Sequence, residues 1–274
     1  MMNKVISRGC GILLGTLLIS SLAYAQGNGA DCKDLPSYSQ LKTQLTNARN
    51  AANGGFNLNM WATVVNRDGV VCAVVFTGPD RADQWPGSRV ISAQKANTAN
   101  SFSLPKTATN PGFPNGLALS TANLYSAVQP GGTLFGLQES NPVDTSVAYG
   151  GNSKNNGQSN DPMVGGKIGG VNVFGGGLAL YAKDDHGNVT LVGGVGVSGD
   201  SSCADHNIAW RLRHALNLDF VPAGVSGDPQ RPDNIVYDIA TQALQMNGLS
   251  ASGWGHPACS AAATAISAAL PPTQ

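Results

Sequence analysis

A strand pair followed by a lysine-bearing helix constrains the fold of this chain more than any other feature. Residues 60–76 read MWATVVNRDGVVCAVVF, in which two valine-rich runs flank the turn sequence NRDG. This pattern predicts a β-hairpin. Ser88 can then cap a helix that ends near Phe102 and places Ile91 and Lys95 on one face.

A second hairpin and further helices complete the predicted order of elements. Glycine-rich runs at 170–181 and 190–197 flank a turn at 184–188. Helical spacing of apolar residues predicts additional helices at 38–52, 202–216 and 234–247. The order helix, hairpin, helix, hairpin, helix indicates an α+β fold with an antiparallel sheet.

The first 25 residues have the pattern of a signal peptide. Lys4 and Arg8 precede an apolar run, and Ala23-Tyr24-Ala25 forms a small-x-small cleavage sequence. The apolar run is shorter than the roughly 20 residues that a spanning helix needs. We therefore expect a periplasmic or secreted protein with no membrane span.

The charge of the mature chain argues against a nucleic-acid partner. Removing Lys4 and Arg8 from the 16 basic residues leaves 14 against 16 acidic residues. The resulting formal charge of −2 provides no basic field for a polyanion. The remaining candidates are small-molecule ligands and further copies of the chain itself.

A long segment rich in Gly, Pro, Asn and Ser interrupts the predicted elements. It is too long for a structureless loop, so we expect it to pack against the body or a partner subunit. Within it, the sequence favours a short helix at 120–128 and a strand from Thr133 to Leu137. The predicted division is a signal peptide at 1–25, a domain at 26–220 with an insertion at 103–170, and a C-terminal extension at 221–274.

Four cysteines remain after cleavage, and an even number in an oxidising compartment predicts disulfides. Three pairings are open. We favour Cys203 with Cys259, which would clip the C-terminal extension to the body, and Cys32 with Cys72, which would fasten the mature N-terminus to the second strand. A metal site is the alternative, but no C-x-x-C spacing occurs.

Three motifs resemble the haem-degrading/GlcG family, which includes HbpS-like proteins and the C-terminal domain of PduO. They are AQKANTANSF, FGGGLALY and GGVGVSGDSSCADHNIA, and the resemblance spans roughly residues 38–216. It implies a profilin-like five-stranded antiparallel sheet with flanking helices, homo-oligomers and, in some members, haem binding. Leu178-Ala179 departs from the family pattern after the glycines, and the cysteines and C-terminal extension are additions.

Two basic residues on the helix that begins at Ser88 are candidate ligand-binding groups. Lys95 lies on an apolar face, where a buried ammonium is costly unless it meets a carboxylate, carbonyls or an anionic ligand. It is our candidate anion clamp or catalytic acid/base group, the alternative being a lysine that snorkels or holds the glycine turn of the sheet. Arg89 can add a second donor for a carboxylate or propionate, unless it is a solvated surface arginine.

The glycine run at Gly175, Gly176 and Gly177 indicates a bulge, or a close approach by another backbone or a flat ligand. Close packing alone is the alternative. Asp205 matches the aspartate that leads the family's last helix, and its carboxylate suits a helix N-terminus. We include these four residues in the predicted ligand site.

Histidines on the helix at 202–216 are the candidate ligands for haem iron. His206 adjoins Asp205, and Trp210, one turn later, can stack on a porphyrin face. We predict His206 as the axial ligand; an ordinary histidine on a polar face is the alternative. His186 and His256 receive no role. The string Gly199-Asp200-Ser201 resembles hydrolase nucleophile sequences, but no flanking motif or placed histidine supports it.

Three functions are consistent with these features. The first is an exported haem or tetrapyrrole-binding protein that acts as a homo-oligomer. The second is an enzyme or accessory protein that acts on a small carboxylate or ketoacid in a glycine-lined pocket, with Lys95 in the site. The third is a structural subunit whose 103–170 insertion contacts other protomers.

Overall fold

The computed structural model describes residues 32–106, 111–239 and 250–274. The predicted signal peptide lies outside the described residues. The helices are α1 (Tyr38–Asn50), α2 (Ser88–Ser101), α3 (Leu124–Ala127), α4 (Thr145–Tyr149), α5 (Ser202–Ala215) and α6 (Ala261–Ala268). The strands are β1 (Trp61–Asn66), β2 (Val71–Phe76), β3 (Gly177–Lys183) and β4 (Val189–Ser198), and a 3₁₀ turn spans Ser153–Asn155.

The four described strands form one antiparallel sheet in the order β2-β1-β4-β3. Both predicted hairpins are present, β1 with β2 and β3 with β4. The α+β class and the antiparallel sheet are confirmed, but the described residues contain four strands rather than the expected five.

Short loop contacts take the place of a fifth strand at the two sheet edges. On β2, Val71 exchanges two backbone hydrogen bonds with Gly165 and Gly166, and on β3 Tyr181 bonds to the backbone of Leu218 and Phe220. These contacts cover the edges without extending the ladder.

The predicted strand from Thr133 to Leu137 is wrong. That segment is a series of turns, and Gly136 has a φ of +86°, which breaks an extended run. The predicted helix at 234–247 is also not observed over its described part, since residues 234–238 have no regular structure and 239 makes only an isolated bridge. Residues 240–249 lie outside the described part of the chain.

Helices cover both faces of the sheet. One core packs α1 and α5 on one face, with Leu41, Leu45, Ile208 and Leu212 among its fully buried members. A capping box between Ser37 and Gln40 starts α1. The other core packs α2 and parts of the insertion on the opposite face.

Glycines in β4 let α2 lie unusually close to the sheet. A Cβ at Gly196 would overlap the backbone oxygen of Ser92, and one at Gly194 would overlap that of Ala96. Close packing of helix on strand therefore requires residues without side chains here. This approach brings Lys95, which lies between those two turns of α2, against the end of β4.

Two disulfides join distant parts of the chain, Cys32 to Cys72 and Cys203 to Cys259. Both predicted pairings are thereby confirmed. The second bridge ties the segment before α6 to the first turn of α5, next to the site described below.

Candidate functional site

A cleft of about 330 Å³ opens where α2, β4 and α5 meet. The loop before α2, the loop before β3 and the first turns of α2 and α5 supply its walls. Its lining residues are Trp85, Ser88, Ile91, Lys95, Phe174, Ser198, Asp200, Ser202 and Asp205.

An ion pair between Lys95 and Asp205 forms the floor of this cleft. Lys95 Nζ lies 2.7 Å from Asp205 Oδ2 and 3.0 Å from the carbonyl oxygen of Val197. Asp205 also accepts a hydrogen bond of 2.9 Å from the backbone N–H of Asp200. Both charged side chains are almost completely buried, with 1% and 3% of their surface exposed. The predicted burial of Lys95 and its need for a carboxylate are both observed.

Burial shifts the pKa of each partner toward the neutral form. Loss of hydration raises the pKa of Asp205 to about 6, although Lys95 opposes this rise. The same loss lowers the pKa of Lys95, against the attraction of Asp205. At pH 7, above this pKa, the Asp205 carboxylate is mostly ionised and faces the Lys95 ammonium. Since an ammonium has three donors and two are used here, the third is available to a ligand.

The glycine run at 175–177, which leads into β3, serves close packing. A Cβ at Gly175 would overlap the Ser202 carbonyl oxygen, and one at Gly177 would overlap the side chain of Thr121. Gly176 has a φ of +113°, and a Cβ there would lie 3.2 Å from Lys95 Nζ. The glycine run thus lets the ion pair lie against α5. Of the two predicted roles, a ligand approach or close packing, close packing describes the contacts of these glycines.

Two half-exposed aromatic side chains stand at the cleft. Trp85 is 52% exposed and Phe174 is 49% exposed, although large apolar side chains are normally buried. Sequence reasoning missed both as site residues. The available signal was a tryptophan isolated in the polar loop before α2 and a phenylalanine directly before the glycine run.

Arg89 lies away from the cleft and has internal partners. Its guanidinium forms a buried fork with the Asp161 carboxylate, with Nε 2.9 Å from Oδ2, and donates to the Ala148 carbonyl oxygen at 2.9 Å. It fastens the insertion to α2. With all of its nitrogen atoms engaged, it is not offered to an anionic ligand in this structure.

His206 and Trp210 are fully buried, contrary to their predicted place on a polar face. His206 Nε2 lies 3.1 Å from Asn234 Oδ1 and 3.2 Å from the backbone nitrogen of Ile235, and burial lowers its pKa to about 4. Trp210 donates through Nε1 to the Pro271 carbonyl oxygen at 2.9 Å. The C-terminal extension covers this face of α5, so neither ring reaches the cleft.

The other described histidines also lie outside the cleft lining. His186 is exposed in the turn between β3 and β4, and His214 pairs with Asp219 at 2.7 Å. His256 is buried against Ser202. Within the described ranges, no group of three or more His, Cys, Asp or Glu side chains is arranged to hold a metal ion.

The family model described as haem-degrading protein, HbpS-like, matches residues 37–212. The chain belongs to this HbpS-like family. The resemblance inferred from the three sequence motifs is confirmed, and the match contains α1, α2, the whole sheet and most of α5. No curated protein matches the chain.

Solved structures similar to this HbpS-like chain include three crystal structures. The PduOC–haem complex is 24% identical to this chain, and the match covers 67% of this chain and 96% of the PduOC chain, with a TM-score of 0.41. Klebsiella pneumoniae ORFY is 22% identical, with 66% and 90% covered and a TM-score of 0.40. A double variant of Streptomyces reticuli HbpS is 16% identical, with 79% and 98% covered and a TM-score of 0.37.

Only some of the predicted site residues of this HbpS-like chain lie together in the structure. Lys95, Asp205 and Gly176 come together at the cleft, whereas Arg89 bonds to the insertion and His206 packs beneath the extension. None of the described helices is both long and apolar enough to cross a membrane.

Proposed function

We propose that this protein is an exported binding protein for haem or a related anionic tetrapyrrole, and that the ligand lies across the Trp85–Phe174 cleft. The observation that carries the proposal is the placement of two half-exposed aromatic side chains at a cleft whose floor holds a buried cation. Membership of a family described as haem-degrading supports the same ligand class.

The chemistry of the cleft suits a flat ligand with carboxylates. Aromatic side chains bury the face of a planar ring by stacking. The third ammonium proton of Lys95 is suited to a propionate, because a charge-assisted hydrogen bond is stronger than a neutral one. A cleft of about 330 Å³ is small for a binding pocket, so we place only one edge of the macrocycle inside it.

Iron ligation by His206 does not fit the described geometry. Its imidazole has no exposed surface, and Nε2 is surrounded by Asn234 and Ile235. Ligation through this ring requires the C-terminal extension to leave α5. The proposal therefore rests on stacking and on the charge of Lys95, without an axial bond from His206.

Haem titration of matched variants tests this proposal. Because each aromatic side chain covers part of the macrocycle, Trp85→Ala and Phe174→Ala should each weaken binding about 10-fold, equivalent to about 1.4 kcal/mol. Phe56→Ala is the control, since Phe56 is 71% exposed but does not line the cleft. Equal affinities for all four proteins, or no haem uptake by the wild type, would overturn the proposal.

A small carboxylate or ketoacid is the second candidate ligand, with the protein acting as an enzyme or accessory factor. The observation that favours it is the cleft volume together with a carboxyl group whose pKa burial raises to about 6, near the range used in acid/base catalysis. Saturable binding of pyruvate that Lys95→Met abolishes, in a wild type that takes up no haem, would favour this function.

Export and self-association complete the proposal. Two disulfides support an oxidising compartment, and the signal-like sequence supports secretion or a periplasmic location. Within the insertion, the exposed large apolar side chains Phe113, Phe135, Tyr149 and Val164 support contacts with further copies of the chain, as in a structural subunit. Native mass spectrometry of the secreted protein tests subunit number and bound ligand together.

A further inference from the structure

Ser202 and His256 form a hydrogen-bonded pair at the edge of the cleft. Ser202 is the first residue of α5, and His256 approaches it from the C-terminal extension, 54 residues later. The distance from Ser202 Oγ to His256 Nε2 is 3.0 Å. Ser202 lines the cleft, whereas His256 is only 2% exposed.

The second ring nitrogen of His256 fixes the direction of this hydrogen bond. Nδ1 lies 2.7 Å from the Pro257 carbonyl oxygen, which can only accept, so Nδ1 carries the proton. In the neutral ring Nε2 then has the lone pair, and the Ser202 hydroxyl donates to it. This is the polarity of a serine nucleophile with its general base, and the carbonyl oxygen takes the role of the group that orients the base.

A disulfide and backbone contacts hold the pair in place. Cys203 and Cys259 are bridged, and each backbone N–H lies 3.2 Å from the other residue's sulfur. The backbone N–H of His256 also donates to the Val236 carbonyl oxygen at 2.8 Å. These contacts fix the backbone that carries the base relative to α5.

A helix N-terminus and an ammonium face the same space, together with the carboxylates of Asp200 and Asp205. Ser202 opens a 14-residue helix, whose N-terminus favours an anion, and the Lys95 ammonium lines the cleft with one donor available. Positive groups of this kind stabilise the oxyanion of a tetrahedral intermediate. The aromatic walls at Trp85 and Phe174 give an apolar acyl group a surface to bind.

We propose that Ser202 and His256 form a nucleophile–base site for hydrolysis of carboxylic esters. Ser202 Oγ forms a bond to the ester carbonyl carbon, its proton passes to His256 Nε2, and that proton leaves with the alcohol as the C–O bond breaks. Water then attacks the acyl-serine and transfers a proton to His256, and the proton returns to Ser202 Oγ as the carboxylic acid is released.

The environment of His256 determines how this activity is measured. Burial lowers its pKa to about 4, and the charge of nearby Lys95 acts in the same direction. The imidazole is therefore neutral at pH 7, but it is a weak base and turnover is slow. Stoichiometric covalent labelling is more decisive than steady-state turnover. An alkyl fluorophosphonate suits this purpose, because Ser202 Oγ forms a bond to phosphorus as fluoride departs.

The experiment compares the disulfide-intact wild type with three variants. We expect one phosphonyl group per chain, located on Ser202 by peptide mass spectrometry. Ser202→Ala should remove it, and His256→Gln should slow it at least 100-fold, as expected for loss of a general base. Ser201→Ala is the matched control and should label at the wild-type rate, because Ser201 Oγ is buried without a hydrogen-bond partner among the described residues.

Two results would overturn this site. One is that the wild-type protein remains unlabelled at Ser202, a result that can be interpreted without any variant. The other is labelling of His256→Gln at the wild-type rate, which would leave the histidine without a role as base. Neither result depends on haem, so the ester site and the tetrapyrrole site are tested separately.

Discussion

Removing one partner of the Lys95–Asp205 pair should destabilise the protein strongly. In Asp205→Asn the ammonium keeps the Val197 carbonyl oxygen but loses the carboxylate 2.7 Å away, in a place where only 1% of the lysine side chain is exposed. Breaking a buried ion pair in this way costs about 3–5 kcal/mol. For a domain of this size, that loss lowers the melting temperature by about 10 °C.

Removing both charges should recover most of this loss. In the double variant Lys95→Met/Asp205→Asn neither position carries a buried charge, and an amide oxygen still accepts from the Asp200 N–H. Replacement of a whole buried pair by neutral groups is often neutral or stabilising. The double variant should therefore be more stable than Asp205→Asn by at least about 2 kcal/mol, while haem affinity falls because the cleft has lost its cation.

Urea unfolding with intact disulfides measures these stabilities, and haem titration measures the separate effect on binding. Asp228→Asn provides a control that breaks an ion pair with Arg231 whose carboxylate is 39% exposed, and it should change stability little. If the double variant were as unstable as Asp205→Asn, or bound haem as tightly as the wild type, this account of the pair would be refuted.

Three further predictions concern the same region. The pKa of Asp205 is raised to about 6 in the folded protein, so the folded state binds this proton more tightly than the unfolded state. The resulting contribution to the free energy of unfolding is present below about pH 4 and is lost as the pH rises through 6. Unfolding curves at pH 4 and 7 should therefore show the wild type losing stability relative to the double variant. Gly176→Ala should destabilise by more than about 1 kcal/mol, since φ is +113° and a Cβ would overlap the Val197 oxygen, whereas Gly227→Ala, in open space, should cost less. His206→Gln should leave the Soret position of bound haem unchanged. A shift of that band would instead indicate that His206 is an axial ligand of the iron.

Local patterns predicted the parts of the fold that are close in sequence. Alternating apolar residues and turn sequences located both hairpins, and the helical face of Lys95 predicted a buried ammonium that meets a carboxylate. The cysteine count and the position of α5 predicted both disulfides. Each of these inferences uses short-range periodicity or a covalent constraint.

Contacts made by the C-terminal extension were not predictable in the same way. After Phe220 the sequence predicted only a helix at 234–247, and it did not show that Asn234 covers His206 or that Pro271 meets Trp210. The face of α5 that carries those two side chains therefore looked like a surface. The contact between Ser202 and His256 depends on the path of the same extension, and only the structure places the histidine.

The position of haem in a crystal structure of the complex tests the central claim most directly. The account predicts a macrocycle in contact with Trp85 and Phe174, one propionate within hydrogen-bonding distance of Lys95 Nζ, and His206 still bonded to Asn234. Haem bound through His186 at the turn between β3 and β4, with the Trp85–Phe174 cleft empty, would contradict it.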